Sequence, residues 1–104
     1  MSKSIEINPL HLQIVLHILK NNLPENACVW VFGSRAEQTK KPFSDFDLAI
    51  DATLALPYLT LVELKNEFEE SDLPYKVDIV DWHLIDKDFQ ARIGVYRQQT
   101  QLKF

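Results

Sequence analysis

The stretch Cys28-Val29-Trp30-Val31-Phe32-Gly33-Ser34, followed after ten intervening residues by Asp45-Phe46-Asp47-Leu48-Ala49-Ile50, decides how this chain is read. Residues 28–32 are continuously apolar and rich in β-branched and aromatic side chains, the pattern of a strand buried on both faces. Gly33 is one of only two glycines in 104 residues, and it stands where that strand must turn. With no Cβ there, phosphate oxygens can approach the backbone, and the amides that open a following helix would point at them. Phe46, Leu48 and Ile50 alternate with Asp47, so a second strand is expected at 46–50 with its aspartates opposite the core-facing stripe. Residues i and i+2 of a strand share a face roughly 6–7 Å apart. Two carboxylates so placed can share hard cations held about 3.5–4 Å from each other. Without a cation they repel, which favours a metal over a bare surface pair.

Working outward, Asn8-Pro9 is an N-cap followed by proline at the first helical position. Leu12, Val15, Leu16 and Leu19 continue a helical stripe to Asn21-Asn22, with Pro24 blocking extension. Polar residues 34–44 leave room for one short helix with Ser34 as its cap. So short a connection predicts that the two strands are antiparallel neighbours. Pro57 opens a long helix with Leu61, Leu64 and Phe68 inward, closing near Ser71. Tyr75–Asp81 reads as a third strand. Asp86 caps a last helix through Tyr96 with Phe89, Ile93 and Tyr96 facing the core, although Gly94 inside it costs about 1 kcal/mol of propensity. The resulting order is α-β-(α)-β-α-β-α: an α/β (α+β) fold with a small mixed β-sheet flanked by helices, residues 1–104 forming one domain.

Composition narrows the function. The hydrophobic fraction of 46% and the net charge of −4 suit an ordinary globular chain, and no apolar stretch approaches the roughly 20 residues that span a bilayer. The N-terminal residues lack the apolar core of a secretory signal, so the cytoplasm is expected. Acidity argues against gripping nucleic acid through many phosphates, but not against a nucleotide carried with magnesium. Cys28 is the sole cysteine and lies in the apolar run, where packing explains it.

A third carboxylate would orient the attacking oxygen or take its proton. Asp78, between Val77 and Ile79, lies where an unpaired charge is costly, and is the first candidate. Asp81 comes second because capping would account for it. Asp51 is too far along its strand to share the same metals and is expected to be solvated. Arg35 could approach a triphosphate from the turn after Gly33, and Trp82 could lie by the mouth of the site. The three histidines have no zinc spacing and are expected at the surface.

Gly33-Ser34-x10-Asp45-x-Asp47 with the later Val77-Asp78-Ile79-Val80 resembles the polymerase-β-like nucleotidyltransferase superfamily, and more narrowly its minimal nucleotidyltransferase (MNT) proteins. The strings Phe32-Gly33-Ser34-Arg35-Ala36, Ser44-Asp45-Phe46-Asp47-Leu48-Ala49-Ile50 and Ser71-Asp72-Leu73-Pro74-Tyr75-Lys76-Val77-Asp78 carry the likeness. The resemblance implies that Asp45, Asp47 and Asp78 are catalytic and ligate two Mg2+ ions. It also implies that Gly33, Ser34, Arg35 and Ser44 bind the nucleotide, with ATP as substrate. The implied partner is an all-helical HEPN-type toxin, to a tyrosine of which AMP is transferred, within a homo- or hetero-oligomer. Gln38 stands where the family has a second glycine, which motivates an alternative: a weak or inactive nucleotide-binding antitoxin that neutralises its partner by binding alone. A transferase for a small hydroxylated substrate is disfavoured, since such enzymes generally need further substrate-binding structure.

Overall fold

Alternation along each strand sends one set of side chains to a pair of helices and the other set to a third. The computed structural model describes residues 7–33 and 45–103. Its elements are α1 (Pro9–Asn22), β1 (Cys28–Phe32), β2 (Phe46–Asp51), α2 (Tyr58–Glu70), β3 (Val77–Asp81), α3 (Lys87–Gly94) and β4 (Gln101–Leu102). The sheet order is β3-β2-β1-β4. β1 pairs antiparallel with β2 and β4, whereas β2 and β3 are parallel, joined by the crossover that contains α2. The expected mixed sheet and the antiparallel β1–β2 pair are both present.

Val29, Val31, Phe46, Leu48, Ile50 and Ile79 meet Val15, Ile18 and Leu19 of α1 and Leu64 and Phe68 of α2 in the main core. On the opposite face Trp30, Phe32 and Ala49 pack with Ile93, supported by Val80, Trp82, Ile85 and Phe89. β1 is therefore covered on both sides, which is why its sequence is apolar throughout. The local signals hold in detail. Asn8 Oδ1 accepts the Leu10 amide at 2.8 Å to start α1, and Asp86 Oδ1 accepts the Phe89 amide at 2.8 Å to start α3. Pro57 stands at the N-cap of α2, and at its other end Ser71 Oγ donates to the Phe68 carbonyl at 2.6 Å.

Two expectations change. The last helix stops at Gly94, short of Tyr96. A Cβ on Gly94 would lie 3.2 Å from Cη2 of Trp82, so the glycine lets this indole close against the helix end. Beyond it the chain turns, and the Tyr96 carbonyl accepts the Thr100 amide at 2.9 Å and the Thr100 hydroxyl at 3.0 Å. That turn aims the unanticipated β4 along β1. Its two residues are too few for any periodicity to show. The short helix expected from Ser34 lies outside the described residues.

Candidate active site

One face of the sheet carries Asp47, Ala49 and Asp51 on β2, flanked by Phe32, Trp30 and Cys28 on β1 and by Asp78 and Val80 on β3. α3 covers only its middle, burying Trp30 and Ala49 completely. Polar residues therefore collect at the two uncovered ends. Asp47 and Asp51 are four residues apart, roughly 13 Å along an extended strand, so these ends are separate sites.

The first end joins Gly33, Asp45, Asp47 and Asp78. Asp47 and Asp78 are register partners on adjacent parallel strands, which brings carboxylates 31 residues apart in sequence side by side. Asp45, exposed, immediately precedes β2. Asp47 is half-buried, and its carboxyl is held above the usual carboxylate range, first by burial and then by the charges of Asp78 and Asp45, with Lys76 pulling the other way. Asp47 thus stands within reach of both other charges, and the sheet topology is what brings Asp78 to it. Gly33, with φ +75°, follows β1 directly, and a Cβ built there would collide with Asp47 Oδ2. Only glycine lets the turn and the carboxylate occupy the same corner. Ser34, Arg35 and Ser44 lie outside the described residues, as does Gln38.

Lys76 is the residue that sequence reasoning missed. Its Nζ lies 3.3 Å from Asp78 Oδ1, an exposed pair of small energetic worth but informative position. Two residues before Asp78 on an extended segment, it shares that face, and this i, i+2 spacing was the available signal.

This donor set suits magnesium. All three side chains offer hard oxygens, and two are mutually repelled in a half-buried corner that a cation would relieve. Among the described residues no three His, Cys, Asp or Glu side chains converge on a single ion position. Magnesium in nucleotide sites generally takes one or two carboxylates and completes its shell with phosphate oxygens and water. A cavity of about 440 Å³ opens beside this corner between α2 and β3, and Asp78 lines it whereas Asp47 and Gly33 do not.

The second end corrects the expectations for Asp51 and Trp82, whereas His83 is exposed as expected and capping accounts for Asp81. Asp51 is not solvated: its side chain is 14% exposed, with Oδ1 2.7 Å from His83 Nε2 and Oδ2 2.9 Å from Arg97 Nη1. Burial alone would raise its pKa, but the Thr53 amide, His83 and Arg97 together hold it below the usual range. Arg97 also lies over the Trp30 ring at 4.9 Å, so Asp51 ties the chain beyond α3 to the sheet. Asp81 is buried and accepts the Leu56 amide at 2.7 Å and the His83 amide at 3.0 Å, which makes it a structural clasp. Trp82 packs edge-on to Trp30 at 5.3 Å, at the end remote from Asp47.

The family model described as Polymerase beta, Nucleotidyltransferase matches residues 13–98. The chain is 42% identical over 89 residues to the probable protein adenylyltransferase MntA of Haemophilus influenzae, covering 86% of this chain and 77% of that protein. It is also similar to a chain of a crystal structure of the toxin–antitoxin MntA-HpeT in a point-mutant form, at a TM-score of 0.69 and 25% identity, over 94% of this chain and 73% of that one. A toxin–antitoxin crystal structure with AMP-PNP gives a TM-score of 0.68 at 23% identity over 88% of this chain and 69% of its own, a likeness of fold. Among the described residues no helix is long and apolar enough to cross a membrane.

Proposed function

The chain belongs to the polymerase-β nucleotidyltransferase family and is a nucleotidyltransferase; from that premise we propose that it transfers AMP from ATP to a tyrosine hydroxyl of a HEPN-type helical toxin, acting as its antitoxin. Residues 1–104 serve as one minimal nucleotidyltransferase domain working in the cytoplasm. The reading is carried by the corner where half-buried Asp47 faces Asp78 across paired strands, beside a glycine whose missing side chain leaves that carboxylate its place. Similarity to a protein adenylyltransferase and to toxin–antitoxin structures supports the acceptor class.

In this mechanism the acceptor oxygen bonds to the α-phosphorus of ATP. The bond from that phosphorus to the oxygen bridging the β-phosphate breaks, and pyrophosphate leaves. The hydroxyl proton passes to the Asp78 carboxylate and from there to solvent. Asp45, Asp47 and Asp78 would hold magnesium, which supplies charge neutralisation along the triphosphate when bound. Gly33 with Ser34 would receive the phosphates on backbone amides, with Ser44 and Arg35 adding polar contacts. Most of the acceleration comes from positioning and charge stabilisation.

The test is incubation of the protein with α-labelled ATP, magnesium and its cognate helical partner. Label is expected on a partner tyrosine and should vanish with Asp45→Asn. An unlabelled partner, with Asp45→Asn indistinguishable from wild type, removes the catalytic claim. If the partner is nonetheless bound tightly by Asp45→Asn and Asp47→Asn, neutralisation by occlusion replaces it, the outcome that Gln38 motivates.

A further inference from the structure

β3 is the outer strand of the sheet among the described residues, and its free edge borders the cavity against α2. Phe46 donates its amide to the Lys76 carbonyl at 2.9 Å, and the Trp82 amide donates to the Ile50 carbonyl at 2.8 Å. In a parallel ladder these two bonds turn the backbone groups of residues 76, 78, 80 and 82 toward β2. Those of Val77 and Ile79 therefore face outward. Beneath this edge the groove has an apolar floor of Phe68, Leu73, Val77 and Ile79. Its rims carry two cations, Lys65 and Lys76, and two anions, Glu69 and Asp78. A polyphosphate backbone laid here would meet both carboxylates, whereas a polypeptide meets a balanced, half-apolar surface with outward-facing amides.

We propose that the acceptor protein docks here through an extended segment outside its helices, added as a β-strand along Val77–Ile79 and presenting its hydroxyl residue in register with Asp78. The proposal rests on the AMP-transfer reading above and assigns the acceptor subsite within it. Alternation dictates the recognition pattern. Asp78 points to the face that holds Asp47, while Val77 and Ile79 point to the opposite face, against α2. On an added strand, a residue in register with Asp78 sends its side chain to the catalytic face, its Cβ about 4.5–5.5 Å from that of Asp78. Its two neighbours then enter the groove beside Phe68 and Leu73. The preferred acceptor is a hydroxyl residue with an apolar residue on each side, in extended conformation.

The experiment uses the full chain, 15N-labelled, with heptapeptides carrying a central tyrosine flanked by leucine and valine, or by lysine and aspartate, at millimolar concentration. The apolar-flanked peptide should slow hydrogen exchange of the Val77 and Ile79 amides by about threefold or more, and the charged-flanked one should not. N-methylation of the peptide should abolish protection at alternate residues and spare it at the residues between, because only one set faces β3. Val77→Pro, which removes an outward amide from an edge strand, should abolish protection at Ile79 and leave binding of ATP with magnesium unchanged. Absent protection, protection indifferent to flanks or to methyl position, or protection of Ile79 surviving Val77→Pro overturns the subsite. The peptide measurements decide the matter even if Val77→Pro does not fold. Docking without AMP transfer to any acceptor overturns the functional reading instead, and transfer at the wild-type rate by Val77→Pro overturns the subsite alone.

Discussion

Replacing Gly33 with alanine should damage the site far more than the fold. Gly33 has φ +75°, where an L-residue costs about 1–2 kcal/mol. The loss of glycine's freedom in the unfolded chain returns about 0.4–1 kcal/mol. The net destabilisation is then about 1 kcal/mol, which for a chain of this size lowers Tm by roughly 4–8 °C. The steric consequence is separate. The new Cβ collides with Asp47 Oδ2 while meeting the rest of that side chain at ordinary contact, so the carboxylate must swing away from its corner beside Asp78. A displacement of about 1 Å in a positioning group can cost on the order of 100-fold in rate. Thermal melts, calorimetric titration with ATP and magnesium, and AMP transfer measured on the same preparation separate the two effects. In an Asp47→Ala background, Gly33→Ala should still cost about 1 kcal/mol in stability but change nucleotide affinity no further. The reasoning fails if Gly33→Ala melts within about 1 °C of wild type and binds nucleotide as tightly. It also fails if the affinity loss persists undiminished when Asp47 is already absent.

The two ends of the same face should respond to pH with opposite signs. The Asp47 pKa is raised in the fold, so ionising this group opposes folding. No penalty exists below its ordinary value of 3.8, and the penalty grows as pH rises through the raised value. In magnesium-free buffer at neutral pH, Asp47→Asn should therefore melt higher than wild type, and a lower melt would contradict the crowding of the three carboxylates. Asp51 has a lowered pKa, so its contribution is complete above 3.8 and disappears as pH falls through the lower, folded-state value. Asp51→Asn should cost about 1–2 kcal/mol at neutral pH, between the worth of exposed and buried pairs. Its denaturant midpoint should also flatten across the acid range. Thr53 is the one described residue other than glycine with positive φ, at 76°; Thr53→Gly should stabilise by about 0.5–1 kcal/mol after the unfolded-state cost of glycine. An unchanged Tm would show that the turn relaxes elsewhere.

Much of the candidate site was legible because its chemistry is local. The pairing of Asp45 with Asp47 was read from strand periodicity alone, and Gly33 follows directly from the apolar run that it ends. The caps Asn8 and Asp86 were equally readable, since each acts within three residues of itself. Lys76 was overlooked because an isolated lysine carries no pattern until its neighbour is known to matter. Asp51 was misread as solvated because its partners, His83 and Arg97, lie 32 and 46 residues away in sequence. The turn cap that Asp81 gives His83 was readable, but its hydrogen bond to Leu56 spans 25 residues and no local pattern shows it.

Sequence by itself determined the helices and the first three strands to within a few residues, the antiparallel β1–β2 pair, and the choice of a glycine turn with two carboxylates, for each follows from spacing within about twenty residues. Only the tertiary structure decided that the parallel partner of β2 delivers Asp78 beside Asp47, and that α3 covers the middle of that face while His83 and Arg97 close over Asp51 at its far end. It alone left the edge of β3 facing a groove. Strand pairing and helix coverage depend on which surfaces bury the most apolar area together, a property of the whole chain that no local pattern encodes.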